Sequence, residues 1–388
     1  MKEKEIYRVN AFKDPINHFI FSKWQHFFAI LLIFFSLQII VSFISGTLIK
    51  IDESLIPESE AAHLKEGIEF IPTLKYVPFF STYLVSIGLF FLLRRYFLSI
   101  PQSFLILFEN KIFREEKGGT RENVSITYNK SLQEFENVIN AKTMYVLAFL
   151  LYFSVILFFV IALEPTPKLD IVLWSDFNFF PLNWSVIILT APLMWFVVGI
   201  FIWKMYCVVS FMRKLAHDYE FDLNPYNPDG FGGFKPLGQL WVNMAFVIIP
   251  VSLTFAFSFA FHRYFELSYP LWRRYVDFAI IIACTTVIII FLVYPMKEYH
   301  DIVRNEKLKL LKGINVKIRR LWKIVKEPLL SDRDEDLVRA SWEQLERSRR
   351  FVDVVKRIPS WPFTPSEKVG ILLIALTPWI LEIMRYLV

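Results

Sequence analysis

The chain has little cysteine and little histidine, two and six in 388 residues. Cys207 and Cys284 both fall inside apolar runs, so they offer neither a disulfide framework nor a C-x-x-C metal site. The histidines are scattered, and neither G-x-S-x-G nor H-E-x-x-H occurs, which removes the common nucleophile and zinc constellations. A small-residue cleavage site after the first apolar run is missing too, so that run is expected to stay as a membrane anchor rather than leave as a signal peptide. Internal repeats are lacking, and with them the inverted-repeat signature of many secondary transporters.

What the chain does have is apolar mass. Hydrophobic residues make up 55% and aromatics 18%, with 41 Phe and 11 Trp, and the mean hydropathy is +0.42. That is more apolar than a soluble globular chain, and the large rings suit lipid-facing surfaces and interfacial belts. Apolar stretches at 26–49, 78–98, 144–163, 184–212, 240–261, 276–294 and 369–387 each approach the roughly 20 residues that a bilayer requires. The expected fold is all-α, a polytopic membrane helix bundle of about seven spans with cytoplasmic helical extensions. It divides into a six-helix region over 1–295, a cytoplasmic helical segment over 296–368, and a seventh helix over 369–388.

The charges orient these spans. Lys2, Lys4, Arg8, Lys13 and Lys23 precede the first run, whereas the next loop carries Asp52, Glu53, Glu58, Glu60, Glu66 and Glu69. Cations gather again in the loop 99–142 and in 297–368, so the N-terminus and both of these segments are expected in the cytoplasm of a plasma-membrane protein. The net charge of +6 then reflects topology and contact with lipid headgroups, and nucleic acid is not an expected partner. Within 99–142, SFLILFENKIF reads as a short strand or buried segment and SLQEFENVINAKT as a helix. Two charge-rich helices are expected at 298–325 and 334–357, separated by Pro328.

Three places could carry function. The turn NPYNPDGFGGFKPLG holds four of the 12 glycines, and Asn224, Asn227, Asp229, Gly230, Gly232 and Gly233 could form a ligand or gating turn or a tight re-entry corner capped by Asp229. It is neither a Walker loop nor a dinucleotide fingerprint. His217, Asp218, Glu220 and Asp222 lie close together, but with no matching second cluster they read as a polar helix end, and no metal or other cofactor is expected. Charges at membrane depth are the third. Lys204 in WKMYCVV either snorkels to the inner headgroups or faces the bundle interior. In the last run, Glu382 and Arg385 share a face, one turn after Thr377 and Pro378, as a pore or gate element or an interfacial ion pair would.

In its order of elements the chain resembles the insect-chemoreceptor-like seven-transmembrane ion channels: an internal N-terminus, seven spans, basic cytoplasmic helices before a short last span, and an external C-terminus. The resemblance implies a homotetramer in which the last helix, with Thr377, Pro378 and Glu382, lines a cation pathway while the cytoplasmic helices anchor the assembly. The PDGFGG turn also resembles one in uncharacterised prokaryotic membrane proteins. The expectation is an oligomeric, non-enzymatic membrane channel or receptor-like protein, with a secondary transporter and a membrane scaffold for a cytoplasmic partner as alternatives.

Overall fold

The computed structural model describes residues 6–14, 18–45, 47, 69–71, 77–116, 124–162, 171–173, 181–247, 271–326, 335–361, 364 and 370. Helix predominates. In chain order the elements are α1 (Trp24–Ile44), β1 (Glu69–Ile71), α2 (Val77–Glu109), β2 (Phe113–Glu116), α3 (Val124–Ile139) and α4 (Thr143–Ala162). They continue with β3 (Ile171–Leu173), α5 (Pro181–Asp218), β4 (Tyr219–Phe221), α6 (described over 235–247), α7 (Leu271–Lys326) and α8 (Glu335–Arg357). The strands form two small pairs, β1 parallel to β3 and β2 antiparallel to β4. Thr377, Pro378, Glu382 and Arg385 lie outside the described residues.

Three of the described helical segments, Trp24–Ile44, Ser86–Glu109 and Trp195–Asp218, are long and apolar enough to cross a membrane. Two helices also turn whole apolar stripes away from the protein. Ile33, Leu37, Ile40 and Ile44 on α1 are exposed at spacings of four, three and four, and so are Val146, Leu150, Phe153 and Leu157 on α4. Such stripes are unfavourable against water and favourable against lipid tails.

Helix α2 runs for 33 residues, about 50 Å at 1.5 Å per residue, straight through Pro101. Of the two readings of SFLILFENKIF, the buried segment holds, with Ser103, Phe104, Leu107, Ile112 and Phe113 buried, but it is helical as far as Glu109 and the strand begins only at Phe113. The reason is periodicity: Leu93, Phe97, Ile100, Phe104 and Leu107 keep one buried face without interruption. Helix α7 is longer, 56 residues or about 84 Å, and joins the sixth apolar run, expected to end at 294, to the charged helix expected from 298, passing through Pro295. Past that proline, Met296, Tyr299 and Val303 are buried, Tyr299 Oη donates to Met212 O at 2.7 Å, and Arg213 pairs with Glu298 at 3.0 Å. The helix ends at Lys326, two residues before Pro328, where a proline ring would clash with a further turn.

Helix α8 folds back along α7. Lys307 Nζ donates to Lys356 O and Ile358 O, both at 2.8 Å, and the His300 ring stacks on Trp361 with centroids 4.6 Å apart. Elsewhere, α1 and α2 are antiparallel, with Phe27 stacked on Phe90 and Phe28 against Phe91. Helices α4 and α5 are antiparallel as well, with Tyr145 and Phe149 both against Phe196. Further contacts join the arm 6–14 to α3, α3 to the end of α5, the end of α5 to the polar half of α7, and the 224–238 turn to α8.

Candidate functional site

The most polar buried arrangement among the described residues is a clasp around the N-terminal arm. Residues 6–14 have no regular secondary structure, so their backbone groups need partners elsewhere. Helix α3 supplies several. Asn129 Oδ1 accepts from Tyr7 N at 2.9 Å, Glu136 Oε2 accepts from Asn10 N at 2.7 Å, and Asn140, just past the helix, donates to Asn10 O at 3.0 Å. Lys13 completes the Glu136 contacts with an ion pair at 3.0 Å. Tyr145 Oη bonds Asp14 at the far end of the arm.

Helix α5 supplies the deepest contact. Lys204 is 0% exposed, its Nζ donates to Ala11 O at 2.6 Å, and the ammonium sits 5.1 Å from the centre of the Phe97 ring. Lys204 therefore does not snorkel to headgroups: the arm covers it, and Val9 and Ala11 are buried with it. Phe12 extends the cover by packing against Phe21 and Phe97. An ammonium this deep holds its place through the carbonyl oxygen and the face of an aromatic ring, both electron-rich.

Glu136 was missed by the sequence reasoning, although a signal was there. Tyr128, Leu132, Phe135 and Ile139 define the buried face of α3, and Glu136 stands on it, 3% exposed. Burial works to raise its carboxyl, but the Asn10 N–H, Lys13 and Tyr7 outweigh this and hold it below the usual carboxylate range. Because the folded value is depressed, the stabilisation is complete above the ordinary carboxylate value and disappears as pH falls through the folded one. Acidification through that depressed value is thus expected to release the arm. Hydrogen exchange of the Tyr7 and Asn10 amides, corrected for intrinsic rate, checks this. Protection that stays unchanged once Glu136 is protonated, or in Glu136→Gln, would show that the carboxylate does not hold the arm.

The glycine-rich turn is built from its own polar groups. Asp229 Oδ1 accepts from Phe231 N at 2.8 Å and Gly233 N at 3.0 Å, and Oδ2 accepts from Lys235 N at 3.2 Å, at the start of α6. Asn224 and Asn227 each accept from the amide two residues on, in Asx turns. Gly230, Gly232 and Gly233 have φ of 71°, 67° and 100°, in the region that disfavours side chains. At Gly232 a Cβ would also lie 2.3 Å from Leu223 Cδ1. Asn110 and Ser103 of the α2 region donate to Gly233 O and Pro236 O, tying the turn to that helix. Tyr226 packs against Phe351 of α8, with centroids 5.4 Å apart. The Asp229 carboxylate thus caps three backbone amides, and the turn bridges α2, α6 and α8.

The remaining sequence candidates stay apart. His217 bonds Asp218 at 2.9 Å in the open, and no group of three His, Cys, Asp or Glu among the described residues is arranged to hold a metal. A cavity between the end of α5, β4 and α7 is lined by Tyr219, Glu220, Phe221, Ile302 and Lys312, and Phe221 also packs against Phe234 of the turn. Polar side chains are also buried in the first apolar helix, where Gln38 and Ser42 are 1% and 0% exposed. Comparisons of the chain with protein-family models, curated proteins and solved structures find no match.

Proposed function

We propose that the chain is an oligomeric, non-enzymatic membrane channel or receptor-like protein of about seven spans, conducting cations along a path lined by the last helix. In this reading the N-terminus, the arm clasp and the α7–α8 hairpin face the cytoplasm of a plasma-membrane protein, embedded in lipid and assembled from identical subunits. Continuity of α7 carries the reading. One unbroken helix runs from an apolar run into a polar layer that grips α5 through Tyr299 and the turn through α8, so movement at either end is transmitted to the other. An enzyme has no need of such a rod, whereas a gate coupled to a cytoplasmic layer does. A membrane scaffold is the second reading, favoured by the exposed cations on the polar half of α7.

Reconstitution into liposomes tests this. Cation flux from the wild type, reduced in Glu382→Gln with assembly preserved, is the expected result, since a carboxylate in a narrow path concentrates cations. Oligomeric mass in nanodiscs should be a multiple of the 46.0 kDa chain. A monomer without flux would reject the channel, and equal flux from both forms would remove Glu382 from the path. Cysteine labelling near Glu60 from outside and near Asp334 from inside is the expected topology.

A further inference from the structure

The last 20 residues of α7 carry one sign of charge only. From residue 307 to 326 the sequence is KLKLLKGINVKIRRLWKIVK, with eight Lys and Arg and no Asp or Glu. Among the described residues, neighbours do not neutralise it. The ion pairs of α8 are internal, Arg347 with Glu343 and Arg350 with Glu346, and Lys309 pairs with Glu306 of its own helix. Among the described residues, no carboxylate lies within ion-pair distance of Lys312, Lys317, Arg319, Arg320 or Lys323.

The cations are also ordered. Leu321 and Val325 form the buried seam toward α8, and the opposite side of the helix presents Lys312, Val316, Arg319 and Lys323, all exposed, at spacings of four, three and four. Trp322 flanks this stripe and is 44% exposed. A straight ridge of cations with apolar side chains in and beside it fits an elongated partner carrying acids at the same helical spacing.

Distance decides against lipid as that partner. The apolar part of α7 ends at Tyr294, and Lys312 and Lys323 follow Pro295 by 17 and 28 residues, or about 26 and 42 Å of helix. Even with a tilt of about 40° the stripe starts roughly 20 Å beyond the hydrocarbon edge and about 13 Å beyond the headgroups, more than the Debye length of about 8 Å in physiological salt. A second copy of the hairpin is no better, because α8 holds six Lys and Arg against five Asp and Glu and offers no acidic face.

We infer that the α7 stripe Lys312–Val316–Arg319–Lys323 is a docking face for an acidic helical segment of a cytoplasmic protein. The inference rests on the membrane reading above but not on ion conduction. The test uses the full chain in nanodiscs of neutral lipid and a fluorescent 20-residue helical peptide with Glu at positions 4, 8, 11 and 15 and Leu beside them. Binding is expected to weaken at least tenfold in Lys312→Glu/Arg319→Glu/Lys323→Glu. It should change less than twofold in Arg339→Glu/Arg347→Glu/Arg349→Glu, which alters net charge equally on α8.

Equal loss in both variants, or none in the first, would overturn the assignment. So would tighter binding of polyuridine RNA or of phosphatidylglycerol vesicles than of the peptide, since the face would then serve nucleic acid or lipid. Peptide binding without cation flux from the same preparation would reject the channel and keep the docking face. Flux without peptide binding would do the reverse.

Discussion

Gly199→Leu should abolish the packed bundle, with the folded fraction lost in detergent and the melting transition lowered or absent. A Cβ at position 199 on α5 would lie 2.6 Å from Ala148 Cα and 3.2 Å from Ala148 Cβ on α4. The first of these atoms is backbone, so no side-chain rotation relieves the clash, and the two helices must separate along their contact. Overpacking in a close-packed core costs about 1–3 kcal/mol even when neighbours can adjust, and here they cannot, so more than about 3 kcal/mol is expected for Leu. Gly313→Ala supplies the contrast. Nothing lies within 4 Å of a Cβ there, and the position is inside α7, so the change should stabilise by about 0.5–1 kcal/mol through helix propensity. Size-exclusion profiles after heating read both. A Gly199→Leu protein that melts within 2 °C of wild type would show that α4 and α5 do not meet as closely as Ala148 and Gly199 indicate.

That contact was not legible in the sequence. Gly199 sits in WFVVGIFIW, where a lone glycine has many explanations, and its necessity depends on Ala148, 51 positions earlier. The long helices were legible because hydrophobic runs report burial or lipid contact residue by residue, and the described residues include three apolar helical segments of membrane-crossing length. Helix ends were less legible: the apolar runs stop at Leu98 and Tyr294, but α2 continues through Pro101 to Glu109 and α7 through Pro295 to Lys326. A proline disfavours helix locally, but buried stripes such as Leu93–Phe97–Ile100–Phe104 continue past it and outweigh a single lost hydrogen bond. The Asp229 turn was recognisable by composition, since only particular residues adopt its backbone, while its partners on α2 and α8 belong to tertiary structure. Glu136 was legible in principle, as a carboxylate on an otherwise apolar face of α3, but its ligand is a stretch of irregular backbone that no periodicity marks.

Lys204 is the residue for which position along the chain left two surroundings open and where the structure makes the sharpest prediction. Near the end of an apolar run a lysine usually extends to the headgroups, and replacing it there changes stability by less than about 1 kcal/mol. Buried beneath Ala11, it has no such route. Lys204→Met keeps the length and apolar stem but leaves the Ala11 carbonyl without its donor, at a cost of about 1–3 kcal/mol. Lys204→Glu is worse, because a carboxylate would face the Ala11 carbonyl and the Phe97 ring, both repulsive to an anion, and about 3–5 kcal/mol is expected. The two substitutions should also act at a distance in sequence. Hydrogen exchange of amides 9–13 should speed up in both, more in the glutamate form, while amides of the stripe at 312–323 keep their wild-type rates. Melting temperatures that fall in the order wild type, Met, Glu would accompany this. If Lys204→Glu melted with the wild type and left the arm protected, the lysine would have to reach water or headgroups after all, and the arm would be held by Glu136 and its neighbours alone.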